Sequence, residues 1–172
     1  MAKIQTVKRL ICVLSVIGFF AAFALLKPEI SSAQESLYVG AIKCKGCHRK
    51  EYKAWLKEKH SRAMSSLKAE KQKDPKCLEC HTTGYGKPAK ANAKLENVQC
   101  EACHGAASRY KTIKIMSKKK YKADPEKAHQ MALAAGLIEP NEKVCLQCHN
   151  DRSPTFKGFD FKKAIKEVDH KD

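Results

Sequence analysis

Chemistry-bearing residues recur in this sequence in one arrangement, a cysteine, two other residues, a second cysteine and then at once a histidine. It stands at Cys44, Cys47 and His48, at Cys77, Cys80 and His81, at Cys100, Cys103 and His104, and at Cys145, Cys148 and His149. Two thiols at that spacing can form thioether bonds to both vinyl edges of one porphyrin, and the neighbouring imidazole is then held beneath the iron. Paired cysteines also make disulfides in exported chains, and CxxC pairs also hold zinc. Neither alternative explains the histidine. With 7 His in 172 residues, its chance appearance after all four pairs has odds on the order of one in a few hundred thousand. The eight cysteines of these units are therefore read as attaching four haem c groups covalently, with His48, His81, His104 and His149 as proximal iron ligands.

Three histidines remain for the distal sides, His60, His129 and His170. Residues 49–70 contain no Gly or Pro, and Tyr52, Leu56, His60, Ala63 and Leu67 recur at helical spacing, so one continuous helix with His60 facing inward is expected. Along such a helix His48 and His60 would stand about 18 Å apart, too far to share an iron, so His60 is expected to serve another haem. A second helix opens at Asp124 as cap with Pro125 in its first position, and Gly136 can close it. On it His129, Ala132, Leu133 and Gly136 share a face, and His129 is either an iron ligand or a hydrogen-bonded histidine. A last helix begins after Asp160 with Phe161, Ala164, Ile165 and Val168 as its apolar stripe. His170 lies just beyond, as a ligand held by the helix end or as a terminal histidine. Three histidines cannot fill four distal sites, so at least one iron does without. Met64, Met116 and Met131 are the available substitutes, but Met64 and Met131 read better as adaptable filler beside haem. An empty site is the expectation.

Strand signals are sparse, and the expected fold class is mainly α with extensive irregular loops. Residues 1–33 read as a signal peptide: Lys3, Lys8 and Arg9, an uncharged apolar run over residues 10–26, then Ser31 and Ala33. The run of 17 residues is at the short limit for a span, so an uncleaved anchor is the alternative. One domain, residues 34–172, remains, with fewer than 40 residues per haem. That is too little chain for separate apolar cores, so stacked haems are expected to be the core. The formal net charge of +16 falls to about +13 without the leader, and the mean hydropathy of −0.51 suits a soluble product. The lysines either pair with haem propionates or dock acidic redox partners and other cytochromes. Their densest run, residues 111–122, lacks the Arg and aromatic interleaving of a nucleic-acid groove. Membrane contact is expected to be peripheral at most, and the location periplasmic or extracellular.

The order and spacing of several segments resemble the tetrahaem cytochrome c-554 family, multihaem c-type cytochromes found in ammonia oxidisers and other respiratory bacteria. The match rests on CKGCH followed by Trp55 and His60 with SRAMSSLK, then CLECHTTGYG, VQCEACHG, CLQCH and FDFKKAIKEVDH. The resemblance implies that three haems have two histidine ligands and the second is open; beside that haem residues 82–86 are expected to form the rim, with Tyr85 limiting access. It also implies that His60 pairs with His104 and His170 with His149. The family's first haem takes its distal histidine from the segment after CEACHG, which here reads AASRYKTIK, with Tyr110 and no histidine. His129 is then the remaining candidate to pair with His48. The function implied is an electron carrier between respiratory redox partners rather than an enzyme. The alternatives are a haem enzyme reducing a small nitrogen oxide at the open haem and a subunit of an extracellular haem filament. Intact-mass measurement of acid-treated protein should show four retained haems, and zinc or a haem-free mass would refute the reading of the motifs.

Overall fold

The computed structural model describes residues 35–170, and the expected signal peptide lies outside them. Its helices are α1 (Arg49–Trp55), α2 (Pro75–His81), α3 (Cys100–His104), α4 (Lys118–Ala123), α5 (Pro125–Ala134), α6 (Glu142–Cys145) and α7 (Phe161–Val168). Among the described residues no strand forms, and only the isolated bridges Tyr38 to Ala89 and Thr82 to Glu96 appear. The architecture is thus mainly helical with long irregular connections, as expected. None of the described helices is long and apolar enough to cross a membrane.

Most helices start where a short polar side chain can accept an orphan amide. Asp74 takes the N–H of Lys76, Asp124 that of Lys127 and Asp160 that of Lys163, at 3.0–3.1 Å. Pro75 and Pro125 sit in the first turn, where a missing N–H costs nothing. Helix α5 ends as expected at Gly136, whose φ of 101° lets Leu137 N–H reach Ala132 and its own N–H reach Leu133. These two bonds form a Schellman closure. The buried stripe of α5, however, is Ala128 and Ala132, not a face led by His129.

The continuous helix expected over residues 49–70 is not formed. α1 stops at Trp55, and three single 3-10 turns follow at Lys59–Arg62, Met64–Ser66 and Ala69–Lys71. Long-range and local bonds outweigh helical periodicity here. Trp55 Nε1 donates to Val98 O at 2.8 Å, Val98 N–H to His60 O at 3.1 Å, and Ser61 Oγ to the Leu56 and Glu58 carbonyls. The serine hydroxyl competes with the amides that would otherwise continue the helix.

The apolar interior of the described residues is small, and its buried side chains are Val39, Ala41, Ala107, Tyr110, Ala128 and Ala132. Larger apolar side chains are bare beside the cysteine motifs, among them Ile42 just before Cys44 and Leu146 between Cys145 and Cys148. The interior is organised instead by a carboxylate. Glu101, 1% exposed, accepts the N–H groups of Val39, Gly40 and Ala107 at 2.7–3.1 Å. Buried Gln99 accepts from Ala41 N–H at 2.6 Å and donates to the carbonyls of Lys94 and Glu96, while its own N–H is taken by the buried Thr83 hydroxyl. Thr83 is therefore part of the interior rather than of an exposed rim. Removing the carboxylate strands three buried donors. Glu101→Ala should cost about 3–5 kcal/mol and Glu101→Gln about 1–2 kcal/mol, read as a lowered guanidinium unfolding midpoint of the haem-loaded protein.

Candidate haem-binding sites

In each motif one turn of backbone gathers the thiols and the imidazole. His48 N–H bonds to Cys44 O and His149 N–H to Cys145 O, both at 2.9 Å, while His81 and His104 are the last residues of α2 and α3. All eight cysteines of the motifs are free thiols. They also meet across motifs. The Cys44 and Cys100 side chains hydrogen-bond to each other, Cys80 bonds to Cys148, and Cys103 lies within electrostatic reach of Cys145. The motifs therefore adjoin in the order first, third, fourth, second. Independent bonds support that order: Ala41 N–H to Gln99 Oε1, Ile138 N–H to His104 O, and the ion pair of Arg152 with Glu79 at 3.0 Å.

The neighbouring thiols and burial shift several of these groups, and the Cys44 bond lowers the pKa of Cys100. Burial, with Cys145 and Cys100 nearby, pushes Cys103 up to about 11, and burial with the Cys80 bond pushes Cys148 up to about 12. The Cys100 bond and burial raise Cys44 as well. Zinc sites need thiolates converging on one point, and among the described residues no three His, Cys, Asp or Glu side chains converge so.

The imidazoles fit haem on geometry. A ring nitrogen lies about 2.0 Å from a bound metal and about 1.1 Å from its own centroid, so two rings facing across one iron stand about 6.2 Å apart. His60 and His149 have centroids 6.0 Å apart, and His104 and His170 6.3 Å. Their planes cross at 66° and 64°, and each couple would be placed to hold one haem iron between its rings. At three of the imidazoles a backbone carbonyl occupies Nδ1. The Nδ1 of His81 bonds to Ala63 O at 2.6 Å, that of His170 to Val168 O at 3.1 Å and that of His104 to Ile138 O at 3.3 Å. The His60 Nδ1 faces Glu58 at 3.8 Å. Such bonds fix the tautomer and leave Nε2 for a metal. Burial and then His149 lower the pKa of His60, favouring the neutral ring with its free lone pair. Phe159 stacks on His149 at 4.9 Å and restrains that ring.

The partners differ from those the resemblance implied. His60 faces His149 rather than His104, and His170 faces His104 rather than His149. The third and fourth motifs adjoin through Cys103 and Cys145, so the two distal histidines meet the opposite members of the same pair. His129 is not brought to His48. Its Nε2 lies 3.1 Å from Glu139, half-exposed on α5. Met116 packs against the cluster of Val39, Ala107 and Tyr110, and Met131 lines a groove with Lys120 and Ala128. Met64 lines an open cavity of about 400 Å³ with Arg62, Glu96 and Asn97. Tyr110 is buried and donates its hydroxyl to Gly105 O at 2.9 Å, and burial followed by Glu101 raises its pKa. Sequence reasoning missed Glu101, Gln99 and Glu58, because acidic and amide side chains among many lysines carry no periodic signal of burial.

Residues 43–105, which span the first three motifs, match the family model described as cytochrome c554 and c-prime. Cytochrome c-554 of Nitrosomonas europaea is 27% identical over 151 residues, covering 75% of this chain and 64% of that protein. The chain thus spans somewhat less than two thirds of that relative's length. The structure of reduced cytochrome c554 from Nitrosomonas europaea shares the fold, with a TM-score of 0.61 and 22% identity over 78% of this chain and 84% of that one. Over residues 43–105 the chain is thus similar to cytochromes c-554, it shares their fold, and its four CxxCH units fit covalently bound haem c as the cofactor.

Proposed function

We propose that this chain is an exported tetrahaem c-type cytochrome that carries electrons between respiratory redox proteins. The eight motif cysteines hold the haems, and His48, His81, His104 and His149 are their proximal ligands. The observation that carries the reading is the pair of facing imidazole couples on adjoining motifs, His104 with His170 and His60 with His149. Bound haem supplies one-electron iron chemistry. The chain's part is to close the iron faces at two adjoining sites against exogenous ligands while leaving them close enough to exchange electrons. Glu58 stands between these sites, 3.8 Å from His60 Nδ1 and within electrostatic reach of His170. Burial raises its pKa and the His170 charge opposes that rise.

Docking rests on charge. Residues 109–123 carry seven basic residues and no acidic one, and Lys118, Lys119, Lys120 and Lys122 on α4 are all exposed. Such a face attracts an acidic redox protein and speeds the encounter. A second reading, reduction of a small nitrogen oxide at an open haem, is favoured by His81, which belongs to neither facing couple and is oriented by Ala63 O for one-sided ligation.

Two outcomes test the proposal. His60→Ala should turn one low-spin haem high-spin, the one held by Cys145 and Cys148, as seen in its visible and electron paramagnetic spectra. An unchanged spectrum would leave His60 a packing residue. Electron exchange with an acidic redox protein should slow at least about tenfold between low and physiological salt, and again when Lys118, Lys119 and Lys120 become Glu. The same charge change at Lys162, Lys163 and Lys166 on α7 should have a much smaller effect. Rates that ignore both salt and Lys118, Lys119 and Lys120 would place docking elsewhere.

A further inference from the structure

All seven histidines of the sequence lie among the described residues. Four of them form the two facing couples, and His81 serves the second motif. His48 therefore has one histidine left to face it, His129, and three observations turn that residue away.

The first is which nitrogen is used. In His81, His104 and His170 a backbone carbonyl occupies Nδ1, so Nε2 is the nitrogen that can ligate iron, whereas in His129 it is Nε2 that lies 3.1 Å from Glu139 Oε1. The second is the face of the helix. α5 buries Ala128 and Ala132 and leaves the His129 side chain 36% exposed toward Glu139. The third is anchorage. The return after α5 is closed at Gly136 and then tied by Ile138 N–H to His104 O, which fixes Glu139 opposite His129. The segment after the third motif offers no replacement, because Tyr110 is buried and gives its hydroxyl to Gly105 O. His48 itself is exposed, at the N-terminal end of α1.

We propose that the chain supplies no distal histidine to the first site, so that this site, like the second, accepts a small uncharged diatomic ligand such as carbon monoxide or nitric oxide. The inference rests on the four-haem reading above and departs from the ligation that the resemblance implied for the first haem. Residues that leave two of four irons accessible give the protein a ligand-binding capacity at each end of the motif order, outside the two closed sites at its centre.

The experiment is a carbon monoxide titration of the dithionite-reduced, haem-loaded protein, after intact mass has established four haems. A mass lacking four haems refutes the cytochrome reading itself, whereas the titration of protein carrying all four bears on the open sites alone. Two carbon monoxide molecules per chain are expected, with two high-spin haems in the ferric spectrum. His129→Ala should leave both values unchanged, and so should Glu139→Gln, an exposed substitution that keeps the fold. One carbon monoxide per native chain, rising to two in His129→Ala, would overturn the proposal by showing His129 on the first iron. Fewer than two in the native protein with no change in either variant would overturn it as well, since another side chain would then fill the position.

Discussion

The interior of the described residues depends on one buried carboxylate. Glu101 lies inside the third motif, between Cys100 and Cys103, and receives the amides of Val39, Gly40 and Ala107. A carboxylate removed from water is costly unless donors surround it, and backbone amides are donors that cannot swing away. The N-terminal lead-in is thereby fixed to the third motif, and Cys44 is carried to within hydrogen-bonding distance of Cys100. Polypeptide bonds thus tie the first and third sites together.

From that anchor the chain is built outward with little apolar burial. The buried apolar side chains are mostly alanines, while Ile42 and Leu146 are exposed beside their cysteines. A protein of this size normally gains its stability by burying large side chains. On the proposed reading, the flat apolar faces of bound haem would supply that surface, and His60 and His170 would cross-link remote segments. His60 reaches from the N-terminal third to the fourth motif, and His170 from the C-terminus to the third. The loss of either ligand therefore loosens packing as well as changing an iron's spin.

The sequence made the chemistry legible because covalent attachment demands a rigid local spacing. Asp124 with Pro125, Asp160 and Gly136 were readable for the same reason, since caps and positive φ are decided within a few residues. The helix expected over residues 49–70 does not form because Trp55 and His60 bond to Val98, about forty residues away, and periodicity carries no record of such partners. The pairing of histidines was hidden by the same long range: nothing local distinguishes His104 from His149 as the counterpart of His60. His129 shows the limit from the other side. A histidine at helical spacing looks like a ligand until Glu139 is seen at its Nε2.

The meeting of thiols from different motifs bears on how the protein is made. Cys44 touches Cys100 and Cys80 touches Cys148, so a chain that folded before receiving its cofactors would hold wrongly matched sulfurs in contact. In an oxidising compartment such pairs close into disulfides, each linking two motifs and disabling both. Burial and the Cys80 bond raise the pKa of Cys148, which slows that reaction because the thiolate is the attacking species, whereas the Cys44 bond lowers that of Cys100 and favours it. Attaching the porphyrins before compaction would keep these sulfurs apart.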